Sequence, residues 1–328
     1  MGCPNQCVFC NQKTISGVHE FDSASLKNII NGYFQTVYDD CDAEIAFFGG
    51  SFTGIDRHLM ISLLKIAYEY VKLGLVKSIR CSTRPDYINT DVLDILQEYG
   101  VKSIELGLQS TDPGVLSLCK RGHTYQDEID ACRMIVDRGF VLSGQMMIGL
   151  PGSTLESEIK TAEFIVNSGA KEARIYPTVV FHDTELFEMV RSGIYFPLEL
   201  EDAVFRSAEV LKILAGADVK LLRIGLCDSE NLHSEKTYYA GPNHSALGEL
   251  VENKLYCDLI KFKLETLGDV NGATCVVTVP KGHTSKIIGQ NKRNKDLLKE
   301  NFGLLDLKVR ETDALTGYNI LLDIQERK

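Results

Sequence analysis

No run of about 18 apolar residues occurs in this chain, which argues against a membrane-spanning helix. No basic stretch followed by an apolar one opens it, so a secretory signal is not expected. The expected compartment is the reducing cytoplasm, with no membrane partner. Ten cysteines in that setting point to metal or redox chemistry rather than to a disulfide framework. Positive charge is also scarce. Lys and Arg number 35 against 45 Asp and Glu, a net charge of −10, so any nucleic-acid footprint must be a local patch. Internal repeats and low-complexity tracts are missing too, which excludes a solenoid array.

What is present fits a soluble α/β protein. The 328 residues suffice for one large α/β domain and a small appendage. Short apolar, β-rich runs at 43–48, 78–82, 103–108, 141–148 and 172–180 read as strands. Helical periodicity lies between them, at 59–73, 91–99, 127–138 and 156–168. Strands alternating with helices predict a parallel sheet covered by helices, open or barrel-like. Polar residues bunch where those strands end, in GGSFT (49–53), TRPDY (83–87), QS (109–110) and GLPG (149–152). That end of an α/β sheet is where sites are built. Residues 1–180 are expected to form this unit, 181–255 a mixed helix-and-loop extension, and 256–328 a small α/β domain.

Cys3, Cys7 and Cys10 form a C-x3-C-x2-C pattern with no fourth cysteine nearby. Four thiolates would close a structural zinc site or a fully ligated cluster. Three leave one position open, which suits catalysis by an iron–sulfur cubane. Zinc on the three cysteines and a histidine such as His19 is the alternative, and inert thiols are another. The remaining cysteines show no ligand spacing. Cys227 and His233, within IGLCDSENLH, are expected to pack.

The pattern with Phe9 before its last cysteine resembles the signature of the radical SAM superfamily. FFGGSF (47–52), TRPDY (83–87), IELGLQS (104–110), RGHT (121–124), GLPG (149–152) and YPTVV (176–180) resemble, in order, the radical SAM domain of the elongator catalytic subunit. TELFEMVRSGIYFPLELEDAV (184–204) extends the likeness into the small domain that follows. The resemblance implies a partial (β/α) barrel and a 4Fe–4S cluster on Cys3, Cys7 and Cys10. It implies S-adenosylmethionine (SAM) on the cluster's open iron, and cleavage of SAM to a 5′-deoxyadenosyl radical. An electron donor such as flavodoxin or ferredoxin would reduce the cluster. Gly49, Gly50 and Ser51 would let backbone approach the SAM amino group. Thr83, Gln109, Ser110 and Gln145 would offer polar contacts, and Arg121 a fork for the carboxylate. Ser82 stands where relatives often carry a SAM-contacting glutamate. The elongator subunit also has an acetyltransferase domain. No acetyl-CoA loop of the Q/R-x-x-G-x-G/A kind follows residue 225, so that reaction is not carried over.

The tail has a different character. A strand at 275–279, a helix-like SKII, the segment Gly289-Gln-Asn-Lys292, an amphipathic helix and a strand at 304–309 resemble a degenerate KH domain. Lys281, Lys286, Lys292, Arg293, Lys295 and Lys299 stand against Asp296 alone between 281 and 299. Loop and charge together predict contact with RNA backbone, transfer or ribosomal, through Lys281, Lys286, Gly289, Lys292, Arg293 and Lys295. A solvated helix face is the alternative. In GPNHSALGELVENKLY (241–256), Pro242 is expected in the first turn of a helix, with Asn243, His244 and Glu249 free to face a substrate.

Overall fold

The computed structural model describes residues 3, 5–11, 25–34, 43–226, 234 and 236–325. Its first five strands are β1 (Glu44–Phe47), β2 (Ser78–Thr83), β3 (Val101–Gln109), β4 (Val141–Ile148) and β5 (Glu172–Pro177). Next come β6 (Val180–Phe181), β7 (Lys220–Ile224) and β8 (Tyr238–Ala240). Strands β1 to β5 and β7 form one six-stranded parallel sheet in that order, while β6 pairs with β8 in a separate two-stranded sheet. The expected strand at 172–180 is therefore two strands in different sheets. The sixth strand lies in a region read as helix and loop.

Local sequence explains the connecting helices. The helix Tyr125–Asp137 starts at a capping box of Thr124 and Asp127. Thr90–Glu98 is capped by Asn89, and Arg57–Lys72 by Asp56. These helices bury one side of the sheet. Ile79, Cys81, Ile104, Leu106, Leu142, Met146 and Ile175 point into the main core with them. The alternate positions are Arg80, Glu105, Gln145 and Arg174, which face away from it. Neighbours β1 to β5 in a flat sheet would lie about 19 Å apart at the ends. Yet Phe48, at the end of β1, touches Arg174 of β5, with 5.3 Å from guanidinium carbon to ring centre. The sheet is curled into a half-barrel, and the polar face lines its inside.

One helix joins the barrel to the tail. It runs unbroken over Leu247–Leu267. Leu247, Val251 and Leu255 pack into the barrel core, and Tyr256, Ile260 and Leu264 into a second core. Each set repeats every four residues, so the two sets are different faces of one rod. The expected boundary at 255/256 falls where core membership changes, but inside this helix and not in a linker. Pro242 precedes the helix by five residues rather than sitting in its first turn, and His244 caps the turn before it by accepting from the Ala246 amide (3.1 Å).

The tail itself is β9 (Thr274–Pro280), a helix Thr284–Ile288, a loop, a helix Arg293–Phe302, β10 (Asp306–Thr312) and β11 (Leu321–Gln325). β10 is parallel to β9 and β11 antiparallel, giving the order β10-β9-β11. The expected strand–helix–loop–helix–strand order is present, and β11 is an addition to it.

Candidate active site

The loop carrying Cys3, Cys7 and Cys10 lies against the sheet's C-terminal end. Val8 anchors it. Its amide donates to the Cys119 carbonyl (3.2 Å), its carbonyl accepts from the Leu186 amide (2.8 Å), and its side chain is 1% exposed. Cys7 is buried, while Cys3 and Cys10 are half-buried. Two guanidiniums meet the Cys7 sulfur. Arg121 Nη1 is 3.4 Å from Sγ and Arg84 Nη1 is 4.0 Å from it. Arg84 is itself clamped, donating to Asp86 (2.9 and 3.0 Å) and to the Arg121 carbonyl (2.5 Å). Arg121 Nη2 donates to the Gly107 carbonyl (2.5 Å), and Asn5 Nδ2 to the Arg121 carbonyl (2.9 Å). Thiolate ligands are anionic, and this cage brings fixed positive charge to them.

The other expected SAM residues divide into two sets. Ser51 and Thr83 are buried and hydrogen-bonded to each other (2.8 Å), so their hydroxyls tie the glycine loop to β2. Ser110 Oγ accepts from the Asp112 amide (3.2 Å), just before the helix Pro113–Leu118 that Asp112 caps. Gln145 sits in the middle of β4 rather than at a strand start, donating to Glu105 (2.8 Å). These four side chains have partners within the protein. Gly49 and Gly50, at φ 102° and 99°, adopt a backbone that side chains disfavour. Gln109 also has a positive φ, 72°, beside a register shift in β3. A Cβ at Gly107 would come within 3.0 Å of Gln109 Nε2. Gln109 Oε1 and Arg121 Nε are buried with no partner among the described residues. An unspent acceptor and an unspent charged donor beside the cysteine loop suit a ligand with amino, hydroxyl and carboxylate groups.

Among the described residues, no three His, Cys, Asp or Glu side chains are gathered so as to hold a single metal ion. His19, Cys41, Cys227 and His233 lie outside the described residues. Cys81, Cys119, Cys132 and Cys275 are buried, and burial pushes their thiols up to about 12, 12, 12 and 11.

Two features escaped the motif reading. The first is the barrel interior. Arg80 bridges Glu44 (2.9 Å), Glu172 (2.6 Å) and Glu105 (3.3 Å), and Arg174 binds Glu105 (2.7 Å). Burial opposes the Arg80 charge, but hydrogen bonds to Glu172 and Glu44 outweigh it and hold its pKa above the ordinary value. The available signal was alternation. A strand covered on both faces is apolar throughout, whereas 78, 80, 82 and 103, 105 and 143, 145 are all polar.

The second is the pair His123 and Glu128, whose side chains are fully buried 2.9 Å apart. Burial, then the Arg121 and Arg84 charges, lowers His123 from 6.5 to about 3. Burial raises Glu128 from 4.5 to about 9. Both groups are neutral in the folded protein. Well above pH 6.5 the imidazole is neutral in either state, so within this pair Glu128 sets the trend. Its proton is kept in the fold and lost in the unfolded chain, so its contribution falls as pH rises toward 9, by up to about 1.4 kcal/mol per pH unit. Glu128→Gln keeps a donor for His123 and is expected to flatten that fall. Urea midpoints of both proteins across this range check it, and parallel curves would mean an ionised Glu128.

In the tail, Lys286 donates to Glu252 (2.8 Å) and Lys295 to Asp306 (2.9 Å), so two of the expected RNA contacts are engaged internally. Lys281, Lys292 and Arg293 are exposed. Gly289 has φ 75°, and a Cβ there would meet the Asn294 side chain at 2.9 Å, so the loop requires glycine. Asn291 and Lys292 follow with φ 52° and 65°, turning the Lys292 side chain outward at the start of the next helix.

Comparison with known proteins agrees with this geometry. Residues 1–165 match the radical SAM superfamily, and 170–256 the radical SAM C-terminal domain. The chain is 38% identical over 125 residues to a tRNA uridine(34) acetyltransferase of Methanocaldococcus jannaschii, covering 37% of this chain and 23% of that protein. It is 32% identical over 153 residues to human Elongator complex protein 3, covering 45% and 28%. The chain thus spans about a quarter of the length of these curated relatives. A solved structure of archaeal Methanocaldococcus infernus Elp3, with an N-terminal deletion, superposes with a TM-score of 0.61 at 25% identity, covering 72% of this chain and 58% of that one. A half-barrel closed by a three-cysteine loop, with matches over more than half its length, makes this chain a member of the radical SAM superfamily of enzymes, which work with a 4Fe–4S cluster and SAM.

Proposed function

We propose that this protein modifies a nucleoside in RNA, transfer or ribosomal, by radical SAM chemistry. The observation that carries the reading is the Cys7–Arg121–Arg84 cage, with Arg121 Nε and Gln109 Oε1 unspent beside it. Cys3, Cys7 and Cys10 would hold the cluster. Arg121 and Gln109, with the backbone of Gly49 and Gly50, would hold SAM. When bound, the cluster and SAM supply a 5′-deoxyadenosyl radical able to take a hydrogen atom from substrate. The chain's own residues fix the rest. Arg84 and Arg121 orient the ligand loop and balance its charge. Ser51 and Thr53, each hydrogen-bonded to Thr83, fix the glycine loop. The half-barrel wall shields the centre from water.

The RNA assignment draws support from two sides. One relative is named as acting on tRNA. The tail presents Lys281, Lys292 and Arg293 around a strained loop between two helices, in an acidic chain, and phosphate contact is the simplest use of such a patch. The tail in this reading is a KH-like backbone clamp. The helix shared by both cores holds it at a set distance from the barrel, so RNA bound there presents a fixed position to the site. The electron donor would be a flavodoxin or ferredoxin, and the setting the cytoplasm. No described helix is long and apolar enough to cross a membrane.

The test is anaerobic reconstitution with iron and sulfide, reduction, and measurement of 5′-deoxyadenosine with and without total cellular RNA, against Cys10→Ala. The expected result is deoxyadenosine that requires Cys10 and rises with RNA. Yield indifferent to RNA would move the substrate to a small molecule or peptide. No yield from a protein with an intact cluster would leave an RNA- or ribosome-binding factor.

A further inference from the structure

The inside of the half-barrel contains an apolar ring that packing does not explain. Phe48 is 53% exposed, where the edge strand β1 passes into the glycine loop. Strand alternation sets it on the inward face with Glu44 and Ala46, while Ile45 and Phe47 pack against the main core. Arg174 lies against its ring, with the guanidinium carbon 5.3 Å from the ring centre. Arg174 is not free to move. Its Nε and Nη2 donate to Glu105 at 2.7 and 3.1 Å. Glu105 is fully buried and also accepts from Gln145 (2.8 Å) and Arg80 (3.3 Å).

Burying such a charge network is a poor route to stability, since well-packed apolar residues of similar volume do as well or better. Its effect here is geometric. It holds a guanidinium rigidly under one part of an exposed ring, next to Gly49. A flat exposed surface backed by a fixed cation matches a planar ligand better than an alkyl one. A nucleobase brought to an enclosed centre must leave its own stack, and it needs a replacement surface there.

We infer that Phe48, braced by Arg174 and Glu105, is the platform on which the target nucleobase stacks inside the barrel. The inference rests on the RNA reading above. The adenine of SAM is the other planar group that can reach this ring, and the test separates the two.

Phe48→Leu keeps an apolar side chain and removes the flat face. Phe48→Tyr keeps the face. Because Phe48 is exposed, both variants are expected to fold, which the urea midpoint checks. Binding of a fluorescein-labelled single-stranded RNA of mixed sequence is followed by anisotropy over a range of salt. SAM binding to the anaerobically reconstituted protein is measured by equilibrium dialysis. Phe48→Leu is expected to weaken RNA binding about tenfold, and Phe48→Tyr by less than about twofold. The salt dependence and the SAM affinity should stay as in the wild type, because no phosphate contact is lost. RNA affinity unchanged in Phe48→Leu overturns the platform and leaves the RNA reading standing. Lost SAM affinity with unchanged RNA affinity assigns the ring to the cofactor and overturns it too. A wild-type protein that binds SAM but no RNA overturns the RNA reading, and the platform with it.

Discussion

Arg121→Met is expected to lower the yield of 5′-deoxyadenosine about a hundredfold in a protein that still folds. Arg121 is 6% exposed and joins three parts of the site. It reaches the Cys7 sulfur, the Gly107 carbonyl on β3 and, through its own carbonyl, Arg84 and Asn5. Hydrogen bonds from a charged donor are worth about 1.5–3 kcal/mol each, and about 1.4 kcal/mol is a factor of ten. Losing the contact to sulfur and the unspent Nε together therefore removes about two orders of magnitude. Methionine fills the volume but leaves the Gly107 carbonyl without its donor. Arg121→Lys is expected to recover little, because one ammonium cannot span a sulfur and a carbonyl as a planar fork does. Deoxyadenosine yield and SAM affinity, measured on reconstituted protein beside the thermal midpoint, check this. A wild-type yield from Arg121→Met would remove Arg121 from the site.

Tyr256→Ala is expected to cost about 3–5 kcal/mol, the usual penalty for emptying a buried aromatic position. The Tyr256 ring is fully buried in the second core, and its hydroxyl meets His283 Nδ1. Tyr256→Phe, which loses only that hydroxyl, is expected to cost about 1 kcal/mol. The loss should appear as one cooperative urea transition at lower denaturant. The reason is the continuous helix Leu247–Leu267, which contributes side chains to both cores, so that unfolding the tail frays a wall of the barrel. An early separate transition for the tail would show the two cores to be independent.

Where sequence and structure agree, the physics is local. The strand run at 141–148 and the helix over Tyr125–Asp137 follow from apolar periodicity and a capping box within the segments themselves. Where they disagree, the deciding contact is distant. The run KLLRI at 220–224 is too short to distinguish strand from helix. It becomes β7 only because β5 offers an open edge to pair with, Ala173 beside Leu221 and Ile175 beside Ile224. The segment LLDIQ, with alternate residues exposed, becomes β11 for the same reason against β9. Lys286 and Lys295 read as free cations in a basic run, yet each has a carboxylate partner brought in from another element.

The sequence by itself determined the parallel α/β plan, the three-cysteine loop at the chain's start and the glycines at Gly49, Gly50 and Gly289. Each of these depends on periodicity or on a backbone conformation that a few neighbouring residues set. Only the tertiary structure decided that Arg121 meets Cys7 across 114 positions of sequence, and that Phe48 rests on Arg174 inside the barrel. The first contact depends on the cysteine loop docking on Cys119 and Leu186. The second depends on the curl of the sheet, a property of all its strands together, set by their twist and by the helices packed outside.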